Sequence, residues 1–148
     1  MKKFVLTFTA LLGIAPFLAA KDLAEVVHIP HDKVQAALDN KANIYLLKAD
    51  NVIVEGNYRN KAGGPEVHTM LTDTFLIMEG SATLLAGGTL EGGKPIAPGQ
   101  IRGGKIVGGT NYHLEKGDSI VIPAGIPHQF SEVPTVVKYY TVKVIKQQ

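Results

Sequence analysis

Apolar and polar residues alternate in short runs along most of this chain, and turn-forming residues separate the runs. Residues 73–78 read Asp-Thr-Phe-Leu-Ile-Met, and residues 119–122 read Ser-Ile-Val-Ile. Such short runs, rich in β-branched and aromatic residues, predict strands. The same pattern predicts a strand pair at 43–48 and 52–58, turned at Ala49-Asp50-Asn51. It predicts a hairpin of 73–78 with 82–85 about Glu79-Gly80-Ser81, and a short strand at 25–29. Strands at 111–114 and 119–122 flank Glu115-Lys116-Gly117-Asp118, and 128–131 and 135–145 complete the sheet. Helical spacing is confined to 32–38, with Val34, Ala37 and Leu38 on one side and Pro30 just ahead. The absence of a βαβ rhythm, with many short strands between turns, predicts an all-β barrel or sandwich.

Alternation also assigns faces. Glu66, His68 and Met70 share one side, as do Asp73, Phe75 and Ile77, and as do His128 and Phe130. On the last strand Tyr140, Val142 and Val144 are expected inward, with Lys143 outside. Residues 87–110 are rich in Gly and Pro and read as a long loop that serves as a lid, a binding loop or an oligomer contact. Lys94, Arg102 and Lys105 there either face an acidic ligand or belong to a solvated surface loop.

Composition changes this picture at the amino terminus. Met1-Lys2-Lys3 is followed by an uncharged, largely apolar stretch ending in Ala19-Ala20, ahead of Lys21-Asp22. This is the layout of a secretory signal peptide at 1–20, cleaved after Ala20, which leaves one domain at 21–148. The expected location is periplasmic or secreted, with no membrane attachment after cleavage. The chain has 15 basic and 13 acidic residues, and two of the lysines lie in the leader. The remainder is therefore balanced, and no basic patch with aromatics points to nucleic acid. With no cysteine, disulfides, thiolate ligands and a thiol nucleophile are all excluded. A barrel that pairs its own edges suits an exported chain of this kind.

The chemistry is concentrated in two stretches. Residues 117–128 read Gly-Asp-Ser-Ile-Val-Ile-Pro-Ala-Gly-Ile-Pro-His. Pro123, Gly125 and Pro127 make a stiff turn after the strand, so His128 leaves it on a rigid backbone. A histidine held this way suits metal ligation. His28, His31 and His113 stand outside any such pattern and read as ordinary surface or strand residues.

The spacing Gly-x5-Pro-x-Gly-x2-His resembles the second motif of the cupins, small β-barrels that often carry a metal. Glu132 stands where that motif has Asn. Residues 66–80 align with the first cupin motif when counted back from Gly80: Asp73 takes the Glu position, His68 the second His, and Glu66 the first His. The resemblance covers roughly 52–144. It implies an antiparallel jelly-roll β-barrel with one short N-terminal helix. It also implies a metal site of Glu66, His68, Asp73 and His128. Two imidazoles and two carboxylates suit a divalent ion such as iron, manganese, zinc or nickel. Met70, Phe75, Phe130 and Tyr140 are expected to wall a pocket for a small molecule. If Glu66 does not bind the ion, it becomes a candidate general base.

Two functional classes follow. One is a metal-dependent enzyme with dioxygenase-, isomerase- or lyase-type chemistry. The other is a non-catalytic module, with or without metal, that binds or senses a small ligand; a degenerate barrel filled by hydrogen-bonded polar side chains is the alternative to any metal site. The resemblance also implies a homodimer.

Overall fold

The computed structural model describes residues 23–146, so the leader expected at 1–20 lies outside the described residues. Helix α1 (His31–Asp39) begins after Pro30, whose φ of −63° is already suited to entering a helix. The Pro30 carbonyl accepts hydrogen bonds from the Lys33 and Val34 N–H groups. The helix buries Ala37 and Leu38. It packs on the strand pair β1 (Ile44–Lys48) and β2 (Val52–Arg59). Gly56 on β2 makes that contact close, since a Cβ there would lie 2.7 Å from the Ala37 Cβ. Residues 25–29 form no strand; they run over the surface, and Val26 is fully exposed. Val27 and Ile29 instead line a groove with Ala37 of α1 and Ile44 and Leu46 of β1. Among the described residues, no helix is long and apolar enough to cross a membrane.

The remaining strands are β3 (Glu66–His68), β4 (Leu71–Ala86), β5 (Thr89–Glu91), β6 (Lys94–Ala97), β7 (Gln100–Arg102) and β8 (Lys105–Val107). They continue as β9 (Thr110–Glu115), β10 (Ser119–Ile122), β11 (His128–Glu132) and β12 (Val137–Ile145). All pairings are antiparallel. One sheet runs β1-β2-β12-β4, with β10 on β4; the other runs β4-β11-β3-β7-β6, with β9 on β4. The two sheets close over a common interior, as the antiparallel barrel expectation required.

β4 corrects the expected hairpin at 73–85. It is one strand of 16 residues that serves both sheets. Its first half pairs with β10 and β12, and its second half with β9 and β11. Gly80 is the hinge between the halves, with φ of +76°. It permits a close crossing: a Cβ there would fall 1.9 Å from the Val136 carbonyl oxygen. The β12 register shifts beside it, between Lys138 and Tyr139, in a bulge.

The last strand is inverted relative to expectation. Val137, Tyr139 and Thr141 are buried, whereas Val144 is half exposed and Tyr140 only partly covered. The register explains this. Tyr139 opposes Ile77, Thr141 opposes Phe75 and Lys143 opposes Asp73, so each shares its partner's inward face. Lys143 therefore points in.

The 87–110 segment also differs from the expected loop. β5 and β8 form a two-stranded ribbon, while the β6–β7 hairpin joins the second sheet through β3. The apolar core lies in one half of the barrel, around Phe75, Ile77, Leu84, Ile122, Phe130 and Val137. The other half of the interior is polar.

Candidate metal centre

Three strands deliver the four residues singled out by spacing. β3 carries Glu66 and His68 on one face, β4 carries Asp73 two positions from its start, and β11 begins with His128. Glu66 and His128 are direct cross-strand partners. The four side chains meet inside the barrel. His68 Nδ1 lies 2.6 Å from Asp73 Oδ2, and His128 Nε2 lies 3.4 Å from Glu66 Oε1 and 3.7 Å from Asp73 Oδ2. His68 Nε2 lies 3.8 Å from Glu66 Oε2. His68, Asp73 and His128 are fully buried, and Glu66 faces the cavity.

Hydrogen bonds fix both rings. His68 donates through Nδ1 to Asp73, and its Nε2 accepts from Arg102 Nη2 at 3.1 Å. His128 donates through Nδ1 to the Ile126 carbonyl at 3.0 Å. That leaves His128 Nε2 directed into the barrel. His128 Nε2 and Asp73 Oδ1 are both buried without a hydrogen-bond partner. At 3.4 Å the approach of His128 to Glu66 is electrostatic rather than an aligned hydrogen bond. A buried polar atom without a partner is costly; the Lys143 ammonium, 3.3 Å away, already answers Asp73 Oδ1, so the cost falls on His128 Nε2, where a cation would remove it.

The donor set fits a divalent ion. His68, Asp73 and His128 each offer one ligand atom within 4.8 Å of the other two, and Glu66 approaches the rings at 3.4 and 3.8 Å. The 2.6 Å contact of His68 with Asp73 is a hydrogen bond. It makes Asp73 the residue that orients the His68 ring as well as a donor in its own right. A charged guanidinium already takes part of the space: Arg102 Nη2 is 3.0 Å from Glu66 Oε2 and donates to Gln100 Oε1 at 2.9 Å.

Electrostatics follow from these neighbours. Burial raises the Glu66 carboxyl, yet the His128 ring, Arg102 and His68 outweigh it and pull its pKa down to about 2. Burial likewise opposes ionisation of Asp73, but the bond from His68 and the charge of Lys143 hold it below its usual range. Burial lowers the Lys143 ammonium, while Asp73 and Glu55 more than compensate and raise it. Lys143 lies 3.3 Å from Asp73 and 3.7 Å from Glu55. For Glu66 the folded value is depressed, so its contribution to stability is present above its ordinary 4.5 and is lost as pH falls through about 2. Metal-free Glu66→Gln is therefore expected to show a shallower loss of stability between those two pH values, read as denaturation midpoints by circular dichroism. An unchanged acid limb would mean that Glu66 gains nothing from its neighbours.

The cavity above the cluster has a volume of about 330 Å³. Its wall includes Phe75, but Met70, Phe130 and Tyr140 do not line it. Met70 sits against Gly99, and Tyr140 is turned outward by the β12 register. Phe130 lies deeper, stacked on Phe75 at 5.8 Å and tilted against Tyr139 at 5.2 Å, and forms part of the floor. Tyr139, Lys143, Arg59 and Arg102 take wall positions instead. Of Lys94, Arg102 and Lys105, only Arg102 reaches the cluster; Lys105 pairs with Glu91 at 3.2 Å. The sequence held a further sign of this polar interior. Glu55, Asn57 and Arg59 alternate with residues that face α1, which leaves the polar set inward. His28, His31 and His113 are surface residues. Glu132 accepts a bond from Thr83 at an exposed strand end. A larger, open groove of about 460 Å³ between α1 and β1 contains none of the clustered residues.

No protein-family model and no curated protein matches the chain. Solved structures do. A Bacillus halodurans protein superposes with a TM-score of 0.58 at 17% identity, over 88% of this chain and 89% of that one. Hydroquinone 1,2-dioxygenase from a Sphingomonas strain, with 4-hydroxybenzoate bound, gives 0.55 at 14% identity, over 87% and 85%. The cupin domain of Schizosaccharomyces pombe Cnp3 gives 0.51 at 10% identity, over 70% and 60%.

Proposed function

We propose that this chain, which has the cupin fold of those neighbours, binds one divalent metal ion and acts on a small organic molecule above it. The observation that carries the reading is His128 Nε2, buried without a hydrogen-bond partner among the described residues and 3.4 and 3.7 Å from the Glu66 and Asp73 carboxylates. His68, His128, Glu66 and Asp73 would hold the ion. Such an ion supplies Lewis acidity and, if iron or manganese, electron-transfer chemistry with dioxygen. The chain's own residues do the positioning. Asp73 fixes the His68 tautomer, the Ile126 carbonyl fixes that of His128, and the aromatic floor excludes water from below. Glu66 fits a ligand better than a general base, because its carboxylate lies 3.4 Å from His128 Nε2 and its other oxygen is held by Arg102 at 3.0 Å. The dioxygenase neighbour agrees with small-molecule chemistry, while reaction and substrate here are our proposal.

Arg102 supports a second reading. Its guanidinium lies between His68 Nε2 and Glu66, where it supplies positive charge without any metal. In that case the barrel is a metal-free binding module. Metal analysis of untagged protein decides between the two, and Arg102→Ala sharpens it. On the metal reading Arg102 competes with the ion, so the variant is expected to bind it about tenfold more tightly in calorimetric titration. If Arg102→Ala binds no metal and melts at much lower temperature, the guanidinium is the permanent cation of the site.

We further propose that the chain is exported, with Lys21 as its mature amino terminus, and that it pairs as a homodimer. The intact mass and the sedimentation coefficient of protein from the producing cell test these two points.

A further inference from the structure

We propose that Arg59 and the Tyr139 hydroxyl form a carboxylate-binding subsite in the wall of the same cavity, so that the molecule handled there is a small organic acid. This deepens the metal-site reading and rests on it for the total charge of the cavity.

Charge bookkeeping leads to Arg59. The cavity and its base carry three acids, Glu55, Glu66 and Asp73, and three bases, Arg59, Arg102 and Lys143. Arg102 pairs with Glu66, and Lys143 with Asp73 and Glu55. Among the described residues, no carboxylate lies within ion-pair reach of Arg59. A divalent ion would add two positive charges to a balanced set. The filled cavity would then carry net positive charge, with Arg59 as its one uncompensated side chain. A ligand with a negative end answers both.

The surroundings hold Arg59 ready for that role. Its guanidinium lies over the Phe130 ring, 5.1 Å from the ring centre. The head group also lies against Gly63, where a Cβ would fall 2.6 Å from Arg59 Nη1, so the missing side chain makes room for it. Stacking restrains the guanidinium plane, and a restrained planar fork matches a carboxylate better than a mobile ammonium would. Tyr139 lies beside it on the same wall, and burial keeps the phenol protonated as a second donor. Ile53, Leu71 and Phe75 provide apolar wall for an organic body.

The test uses the mature chain as purified, with its metal content measured. Malonate and succinate are titrated by calorimetry, with malonamide and succinamide as uncharged counterparts. The diacids are expected to bind at least tenfold more tightly than the diamides. Arg59→Gln is expected to remove that preference without changing metal content, and Arg59→Lys to keep part of it. If Arg59→Gln does not fold, Tyr139→Phe removes only the hydroxyl and is expected to weaken diacid binding alone. Equal binding of diacid and diamide by the wild type, or unchanged malonate affinity in Arg59→Gln, overturns the subsite even where metal is present. If no metal is found but diacid binding still depends on Arg59, the metal reading fails and the subsite stands.

Discussion

His128→Ala is expected to abolish stoichiometric metal binding and to lower stability far more in metal-containing buffer than in chelator. Two terms compete in the metal-free protein. Truncating a side chain that is 2% exposed leaves a cavity, which costs about 2–5 kcal/mol. The same change removes an acceptor that was buried without a partner, worth about 1–3 kcal/mol in the opposite direction. The net loss in chelator is then on the order of 1–2 kcal/mol. With the ion at a hundred times its dissociation constant, the wild type gains about 2.7 kcal/mol that the variant cannot. Thermal melts with and without chelator read the difference, and elemental analysis reads the ion. Equal losses under the two conditions, with full metal content retained, would place the ion elsewhere or nowhere.

Gly80→Ala is expected to be the most damaging small substitution in the sheet, at about 3 kcal/mol or more. The residue has φ of +76°, where a side chain is strained by roughly 1 kcal/mol or more. The larger effect is steric, because the added Cβ would fall 1.9 Å from the Val136 carbonyl oxygen. Backbone cannot rotate away as a side-chain tip can, so the entry of β12 into the sheet must shift. Gly117→Ala is the internal control. It shares the strained conformation, with φ of +97°, but a Cβ there meets nothing within 4 Å. Its expected loss is therefore only the backbone term of about 1 kcal/mol. Chemical denaturation of the two variants separates the terms, and losses of equal size would sink the claim that β4 and β12 cross tightly at Gly80.

Local chemistry in the sequence determined a good deal. The single stretch with helical spacing became α1, and alternating runs became antiparallel strands. Two-residue periodicity placed Glu66 with His68, and Asp73 with Phe75 and Ile77, because strand faces repeat every second residue whatever lies opposite. The Pro-Gly-Pro turn delivered His128 to the interior for an equally local reason.

Only the tertiary structure decided the rest. β12 has apolar residues on both faces, so alternation alone could not say which face was inner; pairing of Lys143 with Asp73 settled it. Gly80 looked like a turn because a left-handed glycine serves turns and crossings alike, and only the passing Val136 backbone tells them apart. Arg102 reaches His68 across 34 residues of chain because β7 pairs with β3. A side chain's own neighbours in sequence fix its conformation, but the register of strands distant in sequence fixes what it faces.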